Sequence, residues 1–272
     1  MPEIAEVETV RQTLRKKILK KQIKSVNVLY ERMIESDINE FKKNLIGLEF
    51  DEILRRGKWL IFSIGDYYLC SHLRMEGKYF IKDHNEKINK HEHVIFSFTD
   101  GTDLRYHDTR KFGRMNLVLK KDLETVEGVH KQGIEPIDDK LSKEYIYDNF
   151  HRRKLPLKTL LLDQTIISGL GNIYADEVLY ASGLYPSRLG SSITLDECQK
   201  IKDSSKIIIE EAIKAGGTTI RSYTSSLGVT GMFQQNLKVH KRENEKCYTC
   251  NTVIKRMVIG GRSTYYCENC QK

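Results

Sequence analysis

The chain has 272 residues, of which 39% are hydrophobic and 30% are charged, and 45 Lys and Arg against 37 Asp and Glu give a net charge of +8. No apolar run approaches the ~18 residues that a membrane span requires, and the charged N-terminal segment lacks the pattern of a secretory signal. These properties exclude a membrane protein and predict a soluble, multidomain protein of the cytoplasm.

The positive charge is concentrated in the second half of the chain. Residues 151–272 carry 18 Lys and Arg against 11 Asp and Glu, a net +7 that leaves only +1 for residues 1–150. Such a basic half suits a polyanionic partner such as nucleic acid. A merely solvated basic surface is the alternative, and charge alone does not choose between them.

The first half of the chain has the pattern of a β-sandwich flanked by helices. Apolar residues spaced three or four apart predict an amphipathic helix over residues 3–20, which places Pro2 at a helix start. A second helix is expected over 38–45. Six short β-like runs follow, and the later runs have no predicted helices between them, which favours a β-sandwich. Asp100-Gly101, between two of the runs, is a hairpin signal. The runs are 23–29, 53–64, 67–73, 93–98, 104–107 and 115–119.

The second half is predicted to be helical. A turn-rich polar stretch at 133–139 is the expected linker. Helices are expected over 157–162 and 173–181. A third begins at a capping box, Thr194-Leu195-Asp196-Glu197, and ends at Gly216-Gly217.

Four of the six cysteines form the most specific motif in the chain. Two CxxC pairs separated by sixteen residues can close a tetrahedral four-cysteine zinc site, and these ligands are Cys247, Cys250, Cys267 and Cys270. Disulfides are the alternative, which a cytoplasmic setting disfavours. The metal would be structural and would staple a β-hairpin with Arg262 near its tip, where an arginine suits a phosphate. Cys70 and Cys198 are expected to be inert core thiols.

The chain begins Met1-Pro2-Glu3, which places an unusual amine beside a carboxyl group. If Met1 is removed, Pro2 becomes a secondary amine, and an α-amino group with a pKa near ~8 is more often neutral at pH 7 than a lysine. Attack on a sugar C1′ would give an imine, and Glu3 could protonate the opening ring. The ordinary alternative is that Pro2 reflects only methionine removal.

Further along, Gly169-Leu170-Gly171-Asn172 lies between two predicted helices, with Asn172 as a good N-cap. A helix start preceded by glycines can present free N–H groups to a phosphate. By itself this segment also fits a plain interhelical turn.

Together these motifs resemble the formamidopyrimidine-DNA glycosylase family, whose members excise oxidised purines and nick the strand. The chain's opening, Met-Pro-Glu-Ile-Ala-Glu-Val-Glu, is similar to that of the family, and the similarity extends over nearly the whole chain. It implies a helix-two-turns-helix unit in which Asn172 and Arg262 grip the DNA backbone. It also implies that Met75, Arg110 and Phe112 fill the gap that the flipped base leaves in the DNA base stack. Further implied DNA contacts are His72, His91 and Lys154, with Lys58 as a contact that also assists catalysis.

The resemblance implies three parts: a catalytic β-sandwich (1–135), a helical DNA-binding domain (136–235) and a zinc-finger hairpin (236–272). It also implies a mobile loop near 217–234 that closes over the flipped base. The chain departs from the family pattern at five positions. Ala5 replaces a proline, His240-Lys241 replace Tyr-Gly, and Lys246 and Asn251 replace a proline and a glycine.

The prediction is therefore a monomeric α+β enzyme, a bifunctional DNA glycosylase and AP lyase. Its substrate would be duplex DNA with oxidised purines or abasic sites. Pro2 and Glu3 would perform the chemistry, assisted by Lys58 and Arg262, and the abasic site would be cleaved by β- and δ-elimination. One alternative is the related endonuclease-eight branch, which prefers oxidised pyrimidines. Another is a non-catalytic zinc-ribbon DNA-binding protein.

Overall fold

Two four-stranded antiparallel sheets form the framework of the first 130 residues in the computed structural model, which describes residues 1–218 and 231–272. The strands are β1 Ile23–Val28, β2 Phe50–Arg56, β3 Trp59–Ile64, β4 Tyr67–His72, β5 Lys78–Asp83, β6 Glu92–Phe98, β7 Thr102–His107 and β8 Arg114–Leu119. One sheet has the strand order β1-β6-β7-β5 and the other β2-β3-β4-β8. The predicted β-sandwich is confirmed.

The core lies between the two sheets. Phe50 of one sheet meets Phe96 of the other edge to face, with ring centroids 6.1 Å apart, and Phe62 meets Tyr79 at 5.6 Å. All six residues of β3 are buried because Trp59 and Ile61, on the outer face of the sheet, belong to a second apolar cluster. Helix α1, Ile4–Ile18, buries its predicted apolar stripe in the main core, and α2 spans Ile38–Leu45.

Two strand predictions need correction. The run 53–64 is two strands, because Gly57 adopts a left-handed conformation (φ +57°) that turns the chain between β2 and β3. Strand β5 was missed. Its sequence, Lys-Tyr-Phe-Ile-Lys-Asp, lacks clear alternation, and it lies at a sheet edge where only β7 pairs with it.

The chain divides into two units, Met1–His130 with Thr218–Gly231, and Lys131–Gly217 with Met232–Lys272. The elements of the second unit are α3 Lys143–His151, α4 Leu157–Leu162, α5 Asn172–Ala181, α6 Leu195–Lys214, β9 Lys255–Ile259 and β10 Arg262–Tyr266. Helix α5 packs against α4, α6 and strand β10, and α6 packs against α3. The predicted three-part division stays a prediction.

The two cysteines outside the quartet lie in the interior, as expected. Cys70 packs beside Trp59 in the smaller cluster of the first unit, and Cys198 is buried on α6. Burial raises the pKa of both thiols to about 12, which makes them poor nucleophiles at neutral pH.

Candidate active site and metal centre

Pro2 and Glu3 lie in the interior of the first unit. Pro2 is buried and Glu3 is 3% exposed, directly ahead of the first turn of α1. Ala5 stands inside that turn, so the helix begins at Ile4 without the second proline of the family pattern. The predicted nucleophile and general acid are thus adjacent and sheltered from water.

Glu6 connects this segment to a distant part of the chain. One of its carboxylate oxygens accepts a hydrogen bond from the Glu3 N–H at 2.8 Å. The other accepts from the Thr218 N–H at 2.7 Å and from its hydroxyl at 3.0 Å. Both Glu6 and Thr218 are 4% exposed. Sequence reasoning missed this bridge because nothing local pairs residue 6 with residue 218.

A second carboxylate of α1 fixes the turn that carries Lys58. Glu8 accepts hydrogen bonds from Arg11 and, at 2.9 Å, from Arg55, whose guanidinium also donates to the Gly57 carbonyl at 3.0 Å. Burial raises the pKa of Glu8, but the hydrogen bonds from Arg11 and Arg55 outweigh it and lower the pKa to about 2. Glu8 is therefore charged at neutral pH, and Lys58 is held 6% exposed at the end of an ordered turn.

The two loops expected to fill the base stack meet at one side chain. A Cβ built on Gly77 would lie 2.1 Å from the Tyr106 hydroxyl oxygen, and one on Gly113 would lie 1.9 Å from it. Only glycine therefore lets both loops approach Tyr106 so closely. The structure brings the Met75 loop and the Phe112 loop together, as is required if both are to fill the gap left by one flipped base.

Asp108 shapes the second of these loops. Its buried carboxylate accepts hydrogen bonds from the N–H groups of Arg110, Phe112 and Gly113 at 3.0, 2.9 and 2.8 Å. The Arg110 guanidinium lies over the Phe112 ring at 4.6 Å, and Phe112 is 47% exposed. An arginine and an aromatic ring are thus presented to solvent as a stacked pair.

The two histidines predicted as DNA contacts differ in setting. His72 is buried, accepts a hydrogen bond from the Arg74 N–H and meets the Trp59 ring edge on. Burial, followed by the charges of Arg74 and Lys58, lowers its pKa to about 3, so it is neutral. His91 is half-buried, with its ring 5.5 Å from that of His107. Their DNA contacts stay predictions.

In the second unit Asn172 is the first residue of α5, and Gly171, not Asn172, is the N-cap. This corrects the predicted cap by one residue. The Asn172 side-chain amide donates to the Ser263 carbonyl at 2.8 Å, which ties the start of α5 to β10. Arg262 opens β10 beside the Gly260-Gly261 turn, and both Arg262 and Lys154 are exposed.

The residues after this helix start form a buried ionic network that sequence reasoning missed. Asp176 accepts from the Lys158 ammonium at 2.6 Å and lies 2.6 Å from His240 Nδ1. Glu177 accepts from the N–H groups of residues 238–240 at 2.8–3.0 Å. His240, which departs from the family pattern, is therefore buried at 4% exposure and has Asp176 as its partner.

Two other departures lie where the backbone is left-handed. Lys241 has φ +61° and Asn251 has φ +60°, both in place of family glycines. Asparagine tolerates this conformation better than most residues, whereas lysine is strained in it. Asn251 keeps the knuckle turn closed, since its N–H donates to the Cys247 carbonyl at 3.0 Å. The remaining departure, Lys246, pairs with Val253 in an isolated bridge.

The four predicted cysteines converge. Their sulfur atoms all lie within 4.8 Å of one another, with Cys247 and Cys270 at 3.8 Å and Cys250 and Cys267 at 3.4 Å. Four sulfurs each ~2.3 Å from one ion would lie about 3.8 Å apart, so the arrangement fits tetrahedral zinc. None of these four cysteines forms a disulfide in the structure. A site with four protein ligands has no open position, so this zinc is structural.

Comparison with known proteins agrees with this geometry. The formamidopyrimidine-DNA glycosylase N-terminal domain matches residues 1–115, and the H2TH domain of the same enzyme matches 132–224. The zinc finger found in FPG and IleRS matches 244–272. Within the described residues no helix is long and apolar enough to cross a membrane.

Similar proteins cover the whole chain. Formamidopyrimidine-DNA glycosylases of Shouchella clausii and Ligilactobacillus salivarius are 43% and 46% identical, over 100% of this chain and 99% of each relative. Lactococcus lactis Fpg with DNA containing N7-benzyl-Fapy-dG is similar at 37% identity, with a TM-score of 0.94 over 100% of both chains. Its complex with abasic-site DNA gives 0.94 and 37% over 99% of both.

A β-sandwich, a helix-two-turns-helix unit and a four-cysteine zinc hairpin together define a class of base-excision DNA glycosylases. The chain belongs to the formamidopyrimidine-DNA glycosylase family. It is therefore a DNA glycosylase and abasic-site lyase of base-excision repair. The predicted family, fold, enzyme class and structural zinc are confirmed. The roles of individual site residues stay predictions, and most of the predicted mobile loop, residues 219–230, lies outside the described residues.

Proposed function

We propose that the chain excises oxidised purines from duplex DNA and then cleaves the abasic site through an imine formed on Pro2. The observation that carries this proposal is the buried Pro2–Glu3 pair, whose position is fixed by the hydrogen bonds of Glu6. The relatives' name and the lesion-containing DNA in the solved complexes support an oxidised purine as the substrate.

The chemistry begins when Met1, which is 43% exposed, has been removed and Pro2 is a secondary amine. Its nitrogen attacks C1′ as the N-glycosidic bond breaks and the base leaves with a proton. Glu3 donates a proton to the ring oxygen as the sugar opens, which leaves a cationic imine.

The imine makes the protons on C2′ acidic. Loss of one expels the 3′ phosphate by β-elimination, and a second elimination expels the 5′ phosphate. Lys58, held in its turn by Arg55, and Arg262 on the zinc hairpin are the residues we assign to assisting these steps. The zinc takes no part in them.

The substrate is held by two groups of residues. In the first unit the stacked pair Arg110–Phe112 and Met75 fill the space that the flipped base leaves. In the second unit the start of α5 at Asn172 and the exposed Lys154 bind backbone phosphates. His72 and His91 complete the proposed contacts of the first unit. The enzyme acts as a monomer in the cytoplasm, where the reduced zinc cysteines are stable.

The test is borohydride trapping on a duplex that contains 8-oxoguanine. Protein without Met1 should be trapped covalently, because borohydride reduces the imine to a stable amine. Protein that retains Met1 should not, because an acylated proline nitrogen has no lone pair free to attack. A processed Pro2→Gly variant is the matched control and should still be trapped, since glycine also supplies an α-amine.

Equal trapping of the form that retains Met1 would overturn the mechanism. Substrate class is tested separately with duplexes that contain an oxidised pyrimidine. Faster excision of the pyrimidine than of 8-oxoguanine would favour the endonuclease-eight alternative. Duplex binding without any trapping would contradict the proposed imine on Pro2.

A further inference from the structure

One tyrosine of α5 contacts a zinc ligand. The Tyr180 hydroxyl oxygen lies 3.2 Å from the Cys247 sulfur and 2.7 Å from the Thr249 hydroxyl. The Thr249 N–H points at the same sulfur at 3.4 Å. The Tyr180 ring packs on the small apolar cluster around the cysteines. A phenylalanine would supply the same packing, so the hydroxyl needs its own explanation.

The chemistry of the metal site sets the direction of these hydrogen bonds. A cysteine that binds zinc is a thiolate, which has no proton and only accepts. The Tyr180 hydroxyl must therefore donate to Cys247. Its oxygen can then accept a hydrogen bond from the Thr249 hydroxyl. The three groups thus form a chain of hydrogen bonds from Thr249 through Tyr180 to the thiolate.

The contact also completes an attachment that begins at the other end of the helix. Asn172, the first residue of α5, holds the hairpin strand through the Ser263 carbonyl. Tyr180 lies eight residues further on, about 12 Å along the helix axis. Helix α5 is therefore bonded both to the strand that carries Arg262 and to the first cysteine knuckle.

We propose that Tyr180 is a positioning residue of the zinc site. Its hydroxyl stabilises the Cys247 thiolate, slows the loss of zinc and fixes the knuckle on α5. Groups that hydrogen-bond to metal ligands typically change metal affinity by about 10–100-fold when they are removed. Fixing the knuckle would also hold Arg262 in position to bind DNA, and this consequence rests on the proposed function. The claim about zinc does not rest on it.

The experiment compares the zinc-loaded full-length chain with Tyr180→Phe, in the absence of DNA. Zinc transfer to the chelator 4-(2-pyridylazo)resorcinol should be about tenfold faster in the variant. After replacement of zinc by Co²⁺, the thiolate-to-cobalt charge-transfer band should move to lower energy. The reason is that a sulfur that accepts one hydrogen bond fewer holds its electrons less tightly.

The matched control is Tyr265→Phe, which removes a hydroxyl from the same cluster and should leave both the zinc release rate and the cobalt band unchanged. Thr249→Val should accelerate release less than Tyr180→Phe, since it removes only the outer donor of the chain. Wild-type release from Tyr180→Phe would overturn the proposal. Faster release with an unmoved cobalt band would overturn it as well, because the hydroxyl would then act only through packing. Neither result bears on the trapping test of the proposed function.

Discussion

Changing Glu6 to glutamine tests whether the bridge between the N-terminal segment and Thr218 supports catalysis. Within the described residues the carboxylate accepts two hydrogen bonds from Thr218 and one from the Glu3 N–H. Glutamine has the same shape but only one accepting oxygen. If that oxygen keeps both bonds to Thr218, the amide nitrogen faces the Glu3 N–H, and two donors oppose each other.

The size of the effect follows from burial. A hydrogen bond to a charged acceptor contributes roughly 1.5–3 kcal/mol, and Glu6 is 4% exposed, so water does not replace the lost partner. If the displaced Glu3 segment loses this energy in the transition state, excision should slow by roughly 10- to 150-fold. Affinity for undamaged duplex should not change, because Glu6 is buried and offers no surface group to DNA.

The assay is single-turnover excision of 8-oxoguanine together with strand cleavage at a preformed abasic site. Both rates should fall in Glu6→Gln, since both reactions need Pro2 in place. Glu52→Gln is the matched control. This residue pairs with Arg15 at the surface of the same unit and is 36% exposed, so its loss should have little effect on either rate. Wild-type rates in Glu6→Gln would refute the bridge's catalytic role.

Three further changes test other parts of the molecule. Arg110→Ala should reduce the preference for lesions opposite cytosine over adenine by roughly ten- to a hundredfold in single-turnover excision. The reason is that a guanidinium has only hydrogen-bond donors to offer the orphaned base. An unchanged cytosine-to-adenine rate ratio would show that another residue discriminates between the two bases. Cys267→Ser should abolish stoichiometric zinc in metal analysis and weaken binding to any duplex, and full zinc content in this variant would contradict the four-ligand site. Lys241→Gly should raise the free energy of unfolding in a denaturant titration by about 1 kcal/mol, since a left-handed lysine costs about 1–2 kcal/mol and glycine's greater freedom when unfolded offsets part of the gain. Asn251→Gly, at nearly the same φ, should change it less, and equal effects would argue against backbone strain at Lys241.

The sequence predicts features that depend on neighbouring residues. The apolar spacing of α1, the capping box at Thr194 and the CxxC pairs are all local patterns, and the structure contains each of them. Strand β5 was missed because a sheet edge tolerates charged residues, so its alternation is weak. The predicted N-cap of α5 was one residue too late, because glycine and asparagine are both acceptable N-cap residues and Gly171 directly precedes Asn172.

The interactions that hold the site together are of a different kind. Glu6 and Thr218 are 212 residues apart, and Asp176 binds Lys158 on one side and His240 on the other. A glutamate or aspartate on a helix is usually solvated, so neither pattern nor composition marks these as buried. Only the folded chain shows which carboxylates have lost water, and therefore which of them need a partner.

This difference explains how the chain keeps its site while it departs from the family pattern. The motif residues at the N-terminus and in the zinc quartet are retained, because the proposed mechanism needs a terminal amine and the zinc site needs four ligands. The departures fall instead on supporting positions. Ala5 is accepted because α1 begins at Ile4 without the proline, and Asn251 is accepted because asparagine tolerates a left-handed backbone. His240 is accepted because Asp176 supplies its partner. At such positions the fold constrains conformation and hydrogen bonding more tightly than it constrains residue identity.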